Sequence, residues 1–404
     1  MGLIPHGPLH LDRVRRNVGG ITETRMSYFG VTAEKIDTVR HHSNADRLDI
    51  CTLKGMAFQF VTGRDQYNAG EVVLYFPVDS LLPVELQRKM GVEGMLSGKN
   101  KDRVKTVRLR GEISQGLVGP QNLAEGWAAV SPDVCNTKAG WGVEIAEWLG
   151  VTKYEPAPID TKAGNLLPLP CGLSAYDIEG AERNIDAVNR LMFEQVVVTE
   201  KVEGQNFSVT FDPVEHQVYV NQRNFTIEEI DVAEHRLWRL ARKSNLIPVG
   251  VPRLSRRGDT APSFLEFLAS VYPSQAITVY GEAYGPGIQG NYYGVPDVAV
   301  RLFDIKVGAD FIDYPTFVGL IHMFWRNDYR HENPITVPVL FIGQLREWLE
   351  DRTIAEASSG PSTMNPNVIR EGVVIRPFVE GRHPEIGRLI IKQRDPVYLA
   401  KGDT

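Results

Sequence analysis

The 404-residue sequence predicts an α+β protein in two parts: a small β-barrel, then a larger region of antiparallel sheets with flanking helices. Three observations predict it. Short β-branched and aromatic runs crowd the first third of the chain, with turn signals between them. From Gln195 onward, alternating strands are interleaved with segments of helical spacing. Composition supplies the cores, since 43% of residues are hydrophobic and 23% charged, as in ordinary globular domains.

In chain order, residues 1–26 have few apolar side chains and carry Arg13, Arg15, Arg16 and Arg25, which reads as a basic flexible tail. Residues 27–120 form the first module. Its strands are expected at 35–40, 48–54, 56–62, 71–77 and 104–110. His42-Ser43-Asn44 and Asn68-Ala69-Gly70 are turn signals between them. Five short strands suit a small barrel, the OB type included. Residues 121–175 read as a connector with one short amphipathic helix (142–151), followed by Pro156, Pro158, Pro168 and Pro170. Residues 176–404 form the larger domain. Strands are expected at 195–201, 206–213, 217–222, 276–285, 299–308, 371–377 and 388–394, with a helix over 226–245. The segments 246–262 and 353–367 read as loops to which no function can be attached.

The net charge of −6 argues against a uniformly basic protein, but nucleic-acid binding needs only a local stripe. Lys99, Lys101, Arg103, Lys105, Arg108 and Arg110, opposed by Asp102, offer such a stripe. On one strand, alternate residues share a face that could track phosphates or simply guard a sheet edge. Cys51, Cys135 and Cys171 are odd in number and far apart, which disfavours a disulfide framework or a cysteine zinc site. The histidines show no zinc spacing, so His41-His42 reads as turn structure or an RNA contact. No secretory core and no apolar run of about 18 residues is present. The expectation is a monomeric, membrane-free protein of a reducing compartment, cytoplasmic or, in a eukaryote, nuclear.

The sharpest local feature is Glu200-Lys201-Val202-Glu203-Gly204-Gln205-Asn206. Lys201 stands between a β-branched strand and a glycine turn, and no other lysine here has glycine three residues on. Gly204 would let a substrate approach the backbone. A nucleophilic amine must be neutral; bringing lysine from about 10.4 to about 7.5 costs roughly 4 kcal/mol, which burial and a neighbouring cation could supply. Alone, K-x-x-G is a weak signal.

Order makes it stronger. After Lys201 come Arg223 behind a strand, Glu282 in VYGEAYG, Phe303 in RLFDIK, Glu371 opening EGVVIRP and Lys392 in LIIKQR. This succession resembles the covalent nucleotidyltransferase superfamily of ligases and capping enzymes. The stretches RHHSNADRLDICTLKG, GEVVLYFPVDSLLP and VKTVRLRGEISQGLV resemble the N-terminal OB module of the Deinococcus-type ATP-dependent RNA ligases. HSNADRLD is also similar to tRNA-binding OB modules. Together these likenesses span 28–120 and 145–394. The short extension past Lys392 agrees with a branch lacking a C-terminal OB domain.

What the resemblance implies is an N-terminal OB-like barrel followed by an adenylyltransferase domain, acting as an ATP-dependent RNA ligase. Lys201 would take AMP from ATP, AMP would pass to a 5′-phosphate end, and an RNA 3′-hydroxyl would then attack it, with a nicked duplex as the expected substrate. Lys201 and Lys392 would be catalytic, Lys392 neutralising charge at the α-phosphate. Glu200 and Val202, on either side of the nucleophile, would contact adenine through backbone or carboxylate, and Asn206 would support the phosphate end. Arg223 would bind ribose or phosphate, Glu282 ribose or metal, Phe303 the adenine face, and Glu371 Mg²⁺ or Mn²⁺. Two departures stand out: Arg394 replaces the second lysine of a K-x-K pattern, with different geometry, and Glu203 stands where many ligases have Asp. A GTP-dependent capping-type guanylyltransferase and an inactive RNA-binding ligase-like protein are the alternatives.

Overall fold

The structure, a computed structural model, describes residues 29–56, 58–125, 141–154, 166–170, 173–229, 235–248, 262–325 and 335–400. The expected tail at 1–26, most of the 246–262 loop, Cys135 and Cys171 lie outside these residues.

In the N-terminal module, β1 (Thr32–His41), β2 (Leu48–Leu53), β3 (Gln59–Gly63), β4 (Val72–Phe76) and β5 (Leu117–Pro120) form one antiparallel sheet, ordered β3-β2-β1-β4-β5. The long β1 is shared: residues 36–41 pair with β2 and 32–35 with β4. Alternate residues of a strand face opposite sides, and both sides are buried here. Leu74 and Phe76 join one core, Val73 and Tyr75 the other. Cys51 is buried and reduced.

Two expectations are corrected. The basic segment 99–110 is not one strand. Only Val107–Leu109 is extended, in a hairpin with Glu112–Ser114, and Arg110 and Gly111 turn it with positive φ. The alternation of charges therefore builds no continuous face. Arg103 points inward to Asp79 at 2.7 Å and lies 3.6 Å from the Tyr154 ring centre. The fifth barrel strand is β5 instead, whose apolar residues can be covered. Nor is the helix Trp141–Trp148 a free connector. Ile145, Ala146 and Val151 are buried with Val31, Ala33 and Phe76, because the amphipathic face has a core to enter.

His41 and His42 serve the turn. His42 is buried, accepts the Asn44 N–H at Nδ1, and its Nε2 lies 3.0 Å from the Leu109 carbonyl; His41 meets Asp49 at 2.9 Å.

The larger region contains β6 (Gln195–Lys201), β7 (Gln205–Asp212), β8 (Gln217–Asn221), β9 (Ile277–Tyr284), β10 (Ala299–Val307), β11 (Val339–Gln344), β12 (Gly372–Pro377) and β13 (Ile391–Arg394). β8-β7-β9-β10 is the centre of a seven-stranded antiparallel sheet. β13-β12-β6-β11 forms most of a five-stranded one, completed by Glu179–Gly180. Helices Arg236–Lys243, Phe264–Val271 and Tyr314–Trp325 cover the first sheet, burying Leu237, Trp238, Phe264, Leu268 and Phe317. The helix expected over 226–245 begins only at Arg236, capped by the His235 ring. Thr226–Ile227 pairs with β8 instead, because the turn after Asn221 folds it back along that strand. No helix among the described residues is long and apolar enough to cross a membrane.

Candidate active site

β6 ends in one sheet and β7 begins in the other, with only Val202-Glu203-Gly204 between them. Lys201 is thus carried to the seam where the sheets face each other. A cavity of about 530 Å³ opens there, within the usual range for small-ligand sites. Lys201, Glu282, Phe303 and Lys392 line it from four strands, joined by Glu200, Val202, Asn206 and Arg223. Glu371 reaches the same point: its Oε2 accepts from Lys201 Nζ at 2.5 Å. The register explains this meeting, because Lys201 pairs with Gly372 and Val374 with Lys392.

Gly204 has a different task from the one its motif suggests. A Cβ there would come within 2.4 Å of the Ala283 carbonyl oxygen and 2.9 Å of Glu282 Cγ. The close approach is made by β9, whose Ala283 pairs with Gln205. Gly204→Ala is expected to cost about 1–3 kcal/mol through forced separation of the strands, measurable as a lower urea midpoint.

The electrostatics differ from expectation at Lys201. Burial pushes its amine down, but Glu371, Glu282 and Glu203 outweigh burial, and the ammonium is held above the ordinary lysine value. Its neighbours at this end are carboxylates, not the cation foreseen. The carboxylates respond in turn. Burial and mutual repulsion push Glu282 up to about 8 and Glu203 up to about 7, against the pull of Lys201. Lys392 moves the other way, lowered by burial with Arg394 and Lys201 adding to it against Asp177.

This crowding bears on stability. A carboxyl whose native pKa lies above its unfolded one holds its proton more tightly when folded. Its contribution is present below the ordinary value of 4.5 and is lost as pH rises through about 8. In metal-free buffer, Glu282→Gln should therefore leave the melting temperature unchanged near pH 4 and raise it at pH 8.5. A gain on the order of 1 kcal/mol is expected, because the cavity admits solvent.

Among the described residues, no three His, Cys, Asp or Glu side chains form a ready-made metal cage. The donors still suit a hard cation. Mg²⁺ commonly takes one or two carboxylates and completes its shell with phosphates and water, and Glu371 and Glu282 offer crowded carboxylates whose repulsion such a charge relieves.

The structure also places residues that the motifs did not single out. The Glu200 carboxylate is buried and accepts from Ser362 Oγ at 2.5 Å and the Thr363 N–H at 2.7 Å. It therefore anchors part of the segment read as a loop over 353–367, which also contains the helix Ile354–Ser358. Tyr398 donates to Glu203, whose N–H is donated to Tyr293 Oη at 2.7 Å. Tyr176 and Tyr280 back the Phe303 ring, at 5.1 and 6.4 Å between centres. Behind them Asp304, fully buried, accepts from Arg376 at 3.2 Å, Arg388 at 2.5 Å and Tyr176 at 2.8 Å. A charged residue inside an apolar strand was the available signal for Asp304 and Arg376. Arg394 lines a separate crevice with Tyr75, Thr106 and Arg183, between the N-terminal barrel and β13.

Residues 30–121 match a family model described as an OB-fold domain. Residues 194–393 match the model described as RNA ligase. Residues 194–393 are an RNA ligase domain. Its limits enclose every residue named above as lining the cavity, and the OB-fold domain precedes it in the expected order. Solved structures resemble the whole arrangement. Naegleria gruberi RNA ligase with PPi superposes with a TM-score of 0.70 at 24% identity, over 91% of this chain and 97% of that one. A lysine-to-alanine mutant of the Naegleria gruberi ligase with ATP and Mn gives 0.70 at 22%, over 91% and 98%. A second such mutant, at a different lysine and also with ATP and Mn, gives 0.69 at 23%, over 93% and 98%. At this identity the likeness establishes the fold, an OB-fold domain followed by a ligase nucleotidyltransferase domain. No curated protein matches the chain significantly.

Proposed function

We propose that this chain is an ATP-dependent RNA ligase that joins an RNA 3′-hydroxyl to a 5′-phosphate through a lysyl-AMP intermediate on Lys201. The observation that carries the reading is the convergence of Lys201, Glu282, Phe303 and Lys392 on one cavity, with Glu371 on the Lys201 amine. ATP and Mn in the Naegleria gruberi ligase structures support ATP as the nucleotide.

Phe303 stacks on adenine, its ring held by Tyr176 and Tyr280. Val202 closes the apolar side of the nucleotide site, and Glu200 holds the 362–363 turn against it. Arg223 and Lys392 receive phosphate oxygens, and Asn206 supports the phosphate end. Lys201 first gives up its proton, for which Glu371 is placed as acceptor at 2.5 Å. The amine then attacks the α-phosphorus, the bond to the β-phosphate oxygen breaks, and pyrophosphate leaves. Lys392 neutralises the charge that builds on the α-phosphate. AMP next moves to the oxygen of a 5′-phosphate end, freeing Lys201. The 3′-hydroxyl attacks that activated end, forming the phosphodiester and releasing AMP. Glu371 and Glu282 would hold Mg²⁺ or Mn²⁺, which would supply positive charge that shields the phosphates and favours the neutral amine.

The test is incubation with α-labelled ATP and Mg²⁺ or Mn²⁺, then denaturing electrophoresis, with GTP in parallel. Protein is first stripped of bound AMP with pyrophosphate. Label from ATP alone supports the reading; label from GTP alone indicates a guanylyltransferase, and none from either an inactive binding protein. Sealing of nicked duplexes with an RNA or a DNA 3′-hydroxyl then tests the strand preference.

A further inference from the structure

The cavity cations Arg223 and Lys392 are already paired with a carboxylate of the protein. Asp177 lies on the segment Tyr176-Asp177-Ile178, before the Glu179–Gly180 strand. Its carboxylate is 9% exposed and draws in three cations from separate elements. Arg223 approaches at 2.7 Å, Lys392 at 3.4 Å and Lys153 at 3.7 Å. The Ile178 N–H, at 3.0 Å, also holds it locally. Two of the three cations, Arg223 and Lys392, line the nucleotide cavity with Asp177 itself. A carboxylate among three positive groups is what a phosphate group would replace with more charge and more acceptor oxygens. Asp177 and an incoming phosphate cannot both hold those cations, since two anions at one site repel.

The same segment forms the wall toward a second cavity, of about 410 Å³, which Tyr176, Asp177 and Ile178 also line. There is thus space behind the segment for the carboxylate to retreat.

We propose that Asp177 is an internal occupant of the pyrophosphate subsite, which the polyphosphate of the nucleotide must displace and which returns to expel pyrophosphate after AMP transfer. The inference rests on the nucleotidyl-transfer reading of the cavity. A site whose competent form is populated to about 10% or less binds at least about tenfold more weakly than it would if that form were the resting one. Asp177 therefore weakens the binding of pyrophosphate, as it does that of the ATP polyphosphate, and a higher pyrophosphate concentration is needed to reverse lysine adenylylation.

The experiment measures inorganic pyrophosphate binding, with Mg²⁺, to full-length wild type, Asp177→Asn and Asp177→Ala, alongside labelling of each by ATP. Both variants are expected to bind pyrophosphate roughly tenfold more tightly and to be de-adenylylated by it at correspondingly lower concentration. Melting curves give a second readout. Without ligand, Asp177→Asn should melt below wild type, since three cations lose an anionic partner, and pyrophosphate should raise its melting temperature more than that of wild type. Unchanged or weaker pyrophosphate binding by folded Asp177→Asn, in a protein whose wild type is labelled by ATP, would overturn the inference alone. A wild type that binds neither pyrophosphate nor ATP would overturn the nucleotide reading and this inference with it.

Discussion

Lys201→Ala is expected to abolish labelling by ATP, a loss of at least about 10³-fold, the scale seen when a covalent nucleophile is removed. The cavity supplies no substitute. Lys392, the other lysine lining it, is paired with Asp177 and sits on β13, across β12 from Lys201. Lys201→Arg should fail equally, because guanidinium keeps its proton. Two further results separate lost chemistry from lost folding. Removing the ammonium takes away the positive charge that opposes the upward shift of Glu282 and Glu203, so the alanine variant should titrate those two carboxyls at higher pH while keeping its fold. A 5′ end supplied already adenylylated bypasses the steps that need the amine, so the variant should still join that end to an RNA 3′-hydroxyl. Full labelling of Lys201→Ala would remove the covalent reading altogether.

Asp304→Ala is expected to be the most damaging single change to stability, at about 3–5 kcal/mol. Asp304 lies on β10 of one sheet and Arg376 on β12 of the other, so their contact at 3.2 Å is a clasp across the seam that contains the cavity. Burial opposes the charge, yet Arg376 and Arg388 hold the carboxyl below its ordinary value. Removing it strands two guanidinium groups that are themselves nearly buried, at 5% and 14% side-chain exposure. Glu380 also holds both arginines, but it cannot replace the lost acceptors on the β10 side. Asp304→Asn keeps the shape and part of the hydrogen bonding and should cost less. Because Tyr176 donates to the same carboxylate and backs Phe303, the alanine variant should also bind ATP more weakly at temperatures where it is still folded. A urea midpoint unchanged by Asp304→Ala would show that the clasp adds nothing over a packed apolar contact.

Much of the fold was legible because strand and helix patterns are local. β6 runs from Gln195 to Lys201 as its alternation predicted, and β9, β10 and β12 begin and end within two residues of expectation. The misreadings have physical causes. The 104–110 segment alternates like a strand, but Arg110 and Gly111 turn it back before it can enter the barrel. Helical spacing over 226–245 could not reveal that Thr226 and Ile227 would find a better partner in β8. The candidate residues stand out in the sequence by order and type: Lys201 ends a strand before a glycine turn, Glu282 lies inside an apolar strand, and Arg223 and Glu371 flank strands.

What the sequence by itself determined is the inventory: the order of strands, the apolar faces, the Lys201-to-Gly204 turn, and the succession Glu282, Phe303, Glu371 and Lys392. What only the tertiary structure decided is which of these meet. Lys201 and Glu371 are 170 residues apart, Ser362 and Glu200 162, Arg376 and Asp304 72. Sheet register sets those meetings, and it depends on burying whole strand faces at once. The raised ammonium of Lys201, the strained carboxylates beside it and the Asp177 carboxylate among three cations follow from that packing. Charges distant in the chain are forced together there, and no local pattern in the sequence records their spacing.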